Sequence, residues 1–275
     1  MDLWVFQKEE RNFKQALGLT GFWILLALLF NGGVYFYQGE EAALQFLTGY
    51  LLEKSLSVDN LFVFLMIFSS FKIPPAYQQR VLFWGIIGAL LLRAPLIITG
   101  TYLVHVFHPL TYVLGAILCV TGIRFLVKKE EAWRPETHWG ARLCRRWFPC
   151  VDRIEGEAFF VRNQGRWAIT RLFIVLILVE SADLIFALDS IPAVLAVTTD
   201  PFIVYTSNIF AILGLRSLYF VIAPLLSRLK YFKVGLAAIL IFVGLKMLVA
   251  PWVAVPVIVM LAVTLFILAL AVILR

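Results

Sequence analysis

Charged residues make up only 15% of this chain, and histidine and cysteine occur three times each, while 62% of the residues are hydrophobic. Each shortage excludes something. Three thiols (Cys119, Cys144 and Cys150) without CxxC spacing argue against a disulfide framework or a zinc site. No histidine falls inside an apolar run; His105 and His108 sit in a short connection and read as solvated loop residues. The N-terminal MDLWVFQKEERNFKQ is charged and lacks a small-residue cleavage site, so no removable signal peptide is expected. A mean hydropathy of +0.91 over 275 residues is that of a polytopic membrane protein, not of a soluble domain. The lipid bilayer is therefore the first partner, and the net charge of +7 needs no nucleic acid to explain it.

Eight apolar runs are long enough to read as transmembrane helices, near 18–37, 42–70, 80–104, 110–127, 170–198, 202–223, 233–250 and 253–273. The second and fifth exceed what a bilayer needs, so they are expected to tilt, break or protrude. Lys and Arg alternate across the connections. The N-terminal segment holds three, 71–80 two, 128–169 nine, 224–233 three and the C-terminal end one, while the intervening loops hold none. The positive-inside rule then places both termini in the cytoplasm. The 128–169 segment is a basic cytoplasmic loop suited to lying on anionic headgroups.

Two of the runs carry acids at mid-depth. GYLLEKSLSVDNLFVFLMIF holds Glu53, then Asp59 followed by Asn60; LILVESADLIFALDSIPAVLAV holds Asp183, then Asp189 followed by Ser190, 130 positions later. A charge at bilayer depth costs at least about 2.5–3.5 kcal/mol on insertion scales, so such acids mark a functional site by default. Six residues of helix give about 9 Å of rise and about 240° of rotation. The members of a pair do not share a face, so either they serve different neighbours or the helix is distorted between them; a site built from them should be assembled across helices. Pro192 should kink the fifth run after Asp189.

The echo extends further. Arg93 in GALLLRAPLI answers Arg216 in AILGLRSLYF, and Gly122-Ile123-Arg124 answers Gly244-Leu245-Lys246. The repeat unit is three helices: an acidic pair, an arginine, then Gly-x-basic. Residues 42–127 form one copy and 170–250 the other, flanked by an N-terminal helix and a C-terminal helix at 253–273. Three spans per unit make the copies inverted, an architecture known from transporters with midplane sites.

The donors inside the membrane are oxygens: Glu53, Asp59, Asp183, Asp189, Asn60, Asn208, Ser190 and carbonyls. Such a set suits Mg²⁺, Ca²⁺ or Mn²⁺, whereas zinc and copper favour imidazole and thiolate. Glu180 lies one turn before Asp183; two carboxylates that close do not both ionise easily, which makes Glu180 a candidate proton carrier. The same spans hold the bases Lys54, Arg93 and Arg216, besides Arg124 and Lys246 nearer the helix ends. Buried ion pairs that merely hold the bundle are the competing reading, and arginines that orient ligating carboxylates combine the two. The pattern suggests transport, not catalysis, and no resident cofactor.

LTGYLLEKSLSVDNLFVFLMIFSSF, LVESADLIFALDSIPAVLAVTTDPFIVYTSNIFAILGLRSLYF and GLKMLV closely resemble the TerC family of bacterial membrane proteins, in its manganese-exporter branch called Alx. The likeness runs from about Ala16 to the C-terminus. It implies a multi-pass protein of the bacterial cytoplasmic (inner) membrane that exports Mn²⁺, with Glu53, Asp59, Asp183 and Asp189 as carrying residues and Asn60 and Glu180 nearby. Similar proteins usually begin with a further span that precedes the charged segment opening this chain. Some relatives are linked to membrane-protein insertion or to metalation of secreted enzymes, so other membrane or secretion proteins are candidate partners. A small-solute exporter is the third reading, since three-helix inverted repeats serve there too.

Overall fold

In lipid the backbone must satisfy its own N–H and C=O groups, and for single apolar segments the helix does so. The structure, a computed structural model, describes residues 13–107, 109–127, 149–151, 156, 158–163, 166–223, 232–250, 252–253 and 255–273. Its helices are α1 (Phe13–Gln38), α2 (Glu40–Ser70), α3 (Pro75–Val106), α4 (Leu110–Val127), α5 (Arg171–Leu195), α6 (Pro201–Leu213), α7 (Leu215–Ile222), α8 (Phe232–Val249) and α9 (Val257–Ile273). Every apolar run of the sequence is thus helical. By length and composition α1, α3 and α4 each suffice to cross a membrane, and α6 with α7 does so as a bent pair.

Local sequence explains the helix ends. Gly39, at φ +92°, is the whole link between α1 and α2, a conformation that costs glycine little. Pro75 opens α3 at a position where the missing N–H is not needed. Asp200 caps α6, its carboxylate accepting from the Phe202 and Ile203 amides at 2.8 and 3.4 Å. At 31 residues α2 is about 46 Å long, against about 30 Å of hydrocarbon, yet it is unbroken. In α5 the helix continues three residues past Pro192 before ending at Leu195.

Two features depart from the plain reading of eight straight spans. The sixth run is two helices, bent by 45° at Gly214. The end of the basic segment carries a small sheet of β1 (Cys150–Val151), β2 (Phe160–Asn163) and β3 (Arg166–Thr170), in the order β1-β3-β2. β3 pairs parallel with β1 and antiparallel with β2, then runs directly into α5. The Thr170 hydroxyl pins that junction by donating to the Ala158 carbonyl at 2.7 Å. Residues 128–148 of the basic loop, with Cys144, lie outside the described residues, as does His108.

Helices α2 and α5 form the centre. Leu52, Leu61 and Ile67 of the first and Leu172, Val175 and Leu178 of the second are fully buried. α1 and α9 instead present large apolar side chains outward, among them Leu29, Phe36 and Phe266. An apolar exterior around a charged interior is the inverse of a water-soluble protein and suits a lipid environment.

α4 and α8 cross at backbone contact. A Cβ on Gly122 would stand 2.8 Å from the Ala237 carbonyl and 3.2 Å from the Ile241 amide nitrogen. One on Gly244 would stand 2.7 Å from the Gly115 carbonyl and 2.9 Å from the Cys119 amide nitrogen. The contacts are reciprocal, because the step from 122 to 244 also carries 115 to 237 and 119 to 241. Small residues at such crossings let dispersion and close packing replace the missing hydrophobic drive. Gly244→Leu should therefore cost about 1–3 kcal/mol through overpacking. Gly18→Leu on α1, where nothing lies within 4 Å, should be neutral. Thermal unfolding in detergent, with the monodisperse fraction as a second readout, checks the contrast.

Candidate functional site

A dense polar contact among the described residues centres on Arg93, which α3 delivers between α2 and α5. Its Nη2 and Nε donate to the two oxygens of Asp183 at 2.8 and 3.0 Å. Its Nη1 donates to Glu53 and, at 3.2 Å, to the Asn208 carbonyl oxygen. Arg93 is 2% exposed, Glu53 0%, Asp183 5% and Asn208 2%. The four residues come from α3, α2, α5 and α6. A planar guanidinium suits this geometry because it can fork onto one carboxylate and still reach another. Two carboxylates against one guanidinium leave a formal charge of −1. Glu53 Oε2 and the Asn208 side-chain nitrogen are buried without a hydrogen-bond partner among the described residues.

Asp189 belongs to a second polar cluster farther along α5. Its Oδ1 accepts from the Thr121 hydroxyl of α4 at 3.0 Å. A narrow cleft there is lined by Leu56, Asn60, Phe125, Phe186, Asp189, Ser190 and Leu240. Ser190 Oγ is buried without a hydrogen bond among the described residues. Asp59 lies on α2 next to Asn60, and its side chain is outside the described residues. The acids read from the sequence are thus divided, with Glu53 and Asp183 on Arg93 and Asp189 on Thr121. Among the described residues no three of His, Cys, Asp and Glu converge.

The remaining candidates occupy distinct positions. Glu180 presses its carboxylate into the notch left by Gly88 on α3, where any Cβ would collide with it. Its Oε2 is buried without a hydrogen bond among the described residues. Lys54 donates to the Ala211 carbonyl at 3.0 Å, beside the bend at Gly214, and lies 6.0 Å from the Tyr50 ring centre. Arg216 is buried and lines a small cavity with Asp183, Phe64 and Leu82. Lys246 donates to the Ala196 carbonyl just past the end of α5. Sequence reasoning missed Thr121 and the Gly85/Gly88 notch. The signal for the first was a hydroxyl directly before the repeated Gly122; for the second, it was two glycines one turn apart beside Arg93.

A many-helix bundle with an apolar exterior and a buried, charge-coupled centre defines an integral membrane protein. The family model described as "Integral membrane protein TerC family" matches residues 38–275, and the chain belongs to that family. An "Uncharacterized membrane protein STKORF319" of Myxococcus xanthus is 50% identical over 258 residues, covering 93% of this chain and 81% of the relative. A "Putative membrane-bound redox modulator Alx" is 49% identical in Salmonella typhi, covering 90% of this chain and 79% of the relative. The protein of the same name in Escherichia coli K12 is 46% identical, covering 92% and 81%. No solved structure matches.

The two acidic centres should differ in stability. Asp183→Asn breaks a buried fork and should cost about 3–5 kcal/mol. Asp189→Asn removes the charge from one hydroxyl acceptor and should cost about 1 kcal/mol or less. Parallel unfolding curves of the two purified variants read the difference.

Proposed function

We propose that the protein carries Mn²⁺ out of the cytoplasm across the bacterial inner membrane. The observation that carries this reading is the convergence of Glu53, Asp183 and Asn208, from three helices, on one positive charge deep in the bundle. A place built of oxygens that holds a cation there has the donor chemistry of a hard divalent ion. Manganese itself comes from the family likeness. The "redox modulator" in the relatives' names is said of those proteins and carries no step here.

In this cycle the ion, largely dehydrated, binds in turn at the Glu53–Asp183 pair and at the Asp59–Asp189 acids, as separate stations along α2 and α5. Asn60, Ser190 and Asn208 supply neutral oxygens beside them. The halves 42–127 and 170–250 then rock against each other so that the site opens outward. In this reading both termini are cytoplasmic, on the side to which Lys and Arg are biased. The reciprocal α4–α8 contacts support two inverted copies, because the repeat correspondence predicts such pairing across a local twofold axis. Glu180, in its glycine notch one turn from Asp183, takes up the returning proton in this reading, which would make the protein an H⁺ antiporter.

One observation favours a second reading. Arg93 engages both oxygens of Asp183 and one of Glu53, as a structural ion-pair network would in a membrane-protein insertion or exoenzyme-metalation factor. Variants separate the two. Asp59→Asn and Asp189→Asn should abolish export while leaving folded, inserted protein; loss of the protein itself favours the structural role. Cellular Mn²⁺ under manganese load should fall on expression, and an unchanged level rejects export. A small-solute carrier is distinguished by thermal shift, with stabilisation by Mn²⁺ expected and none by amino acids.

A further inference from the structure

We propose that the Arg93 guanidinium is a tethered stand-in for the transported cation, so that Arg93 and the ion occupy the Glu53–Asp183 pair in turn. This inference rests on the cation-export reading above and names how the same site is emptied and filled.

The geometry is that of a ligand cage already holding a positive charge. Four oxygens from α2, α5 and α6 accept from one guanidinium, which α3 inserts. Charge counting favours exchange over coexistence. The two carboxylates and Arg93 by themselves sum to −1; a divalent ion beside Arg93 would bring these groups to +1, whereas an ion replacing it brings them to zero, and the one-unit difference holds whatever charge Arg216 and Glu180 add nearby. In a medium of low dielectric the neutral arrangement is the favoured one.

The cage is also incompletely used. Glu53 Oε2 and the Asn208 side-chain nitrogen are buried and carry no hydrogen bond among the described residues. Buried polar groups of a purely structural network are normally satisfied, and each exception calls for an explanation. Here Glu53 retains an acceptor oxygen for an ion that approaches as Arg93 leaves.

Arg93 is placed to leave. Pro95, two residues on within α3, cannot donate to the Leu91 carbonyl, so the helix is locally deformable where the arginine is mounted. The consequence for transport is that an empty carrier never presents two bare carboxylates to the bilayer interior. The guanidinium neutralises one of them on the return stroke, when no ion is aboard.

The test uses the purified full chain in detergent, with Mn²⁺ as the probe. Arg93→Gln should bind Mn²⁺ about tenfold or more tightly than wild type, because no tethered charge has to be displaced. It should show a larger Mn²⁺-induced rise in Tm and lose export. Arg93→Lys keeps a cation but loses the fork; it should bind more tightly than wild type by a smaller factor, and it decides the matter if the glutamine variant does not fold. A folded variant of either kind that binds Mn²⁺ no more tightly than wild type overturns the exchange, since an arginine that merely positions the acids would weaken binding when removed. Export is read separately in vesicles. A wild type that moves no Mn²⁺ overturns the export reading and the exchange with it; a wild type that exports beside variants that bind no more tightly overturns the exchange alone.

Discussion

Two carboxylates on different helices, Glu53 and Asp183, share one guanidinium that a third helix delivers, and the arrangement of the bundle depends on that contact. An uncompensated carboxylate in the bilayer interior is expensive, so α2, α3, α5 and α6 are constrained to bring these groups together. The packing around them follows. The central pair α2 and α5 is lined with fully buried Leu and Ile, while α1 and α9 turn bulky apolar residues outward. Hydrophobicity therefore orients the periphery, and charge pairing sets the register of the centre.

Near-symmetry runs through the same residues, and its defects are informative. In the proposed repeat Glu53 corresponds to Asp183, and the two meet on one arginine; the glycines of α4 and α8 touch reciprocally. The likeness ends at Gly214, where α6 and α7 part, whereas α3 runs unbroken through Leu91, the residue set against Gly214 when Arg93 is aligned with Arg216. A helix end inside the membrane exposes carbonyls that need donors. Lys54 supplies one to Ala211, and the residue set against it when Glu53 is aligned with Asp183 is the apolar Leu184. The unmatched lysine and the unmatched break thus explain each other.

Hydropathy made the helices legible, because crossing a bilayer demands about twenty apolar residues and a satisfied backbone whatever the neighbours are. The acids were legible for the same reason: their cost makes them conspicuous wherever they fall. The six-residue spacing also pointed to partners on other helices. The bend at Gly214 was not legible, since glycine is tolerated in membrane helices and only the seat of Lys54 against Ala211 gives the break its donor. Nor was the sheet before α5, whose short strands sit in a segment dominated by charge and tryptophan.

Composition and spacing by themselves determined that this is a polytopic helical membrane protein with oxygen donors buried on two matched helices. Those properties follow from the cost of moving each residue out of water, which a linear sequence carries. Which acid faces which base was decided only by the tertiary structure. Arg93 takes Glu53 and Asp183 together, Asp189 turns to Thr121, and Glu180 enters a glycine notch, because the rotation and depth of each helix are set by packing against its neighbours.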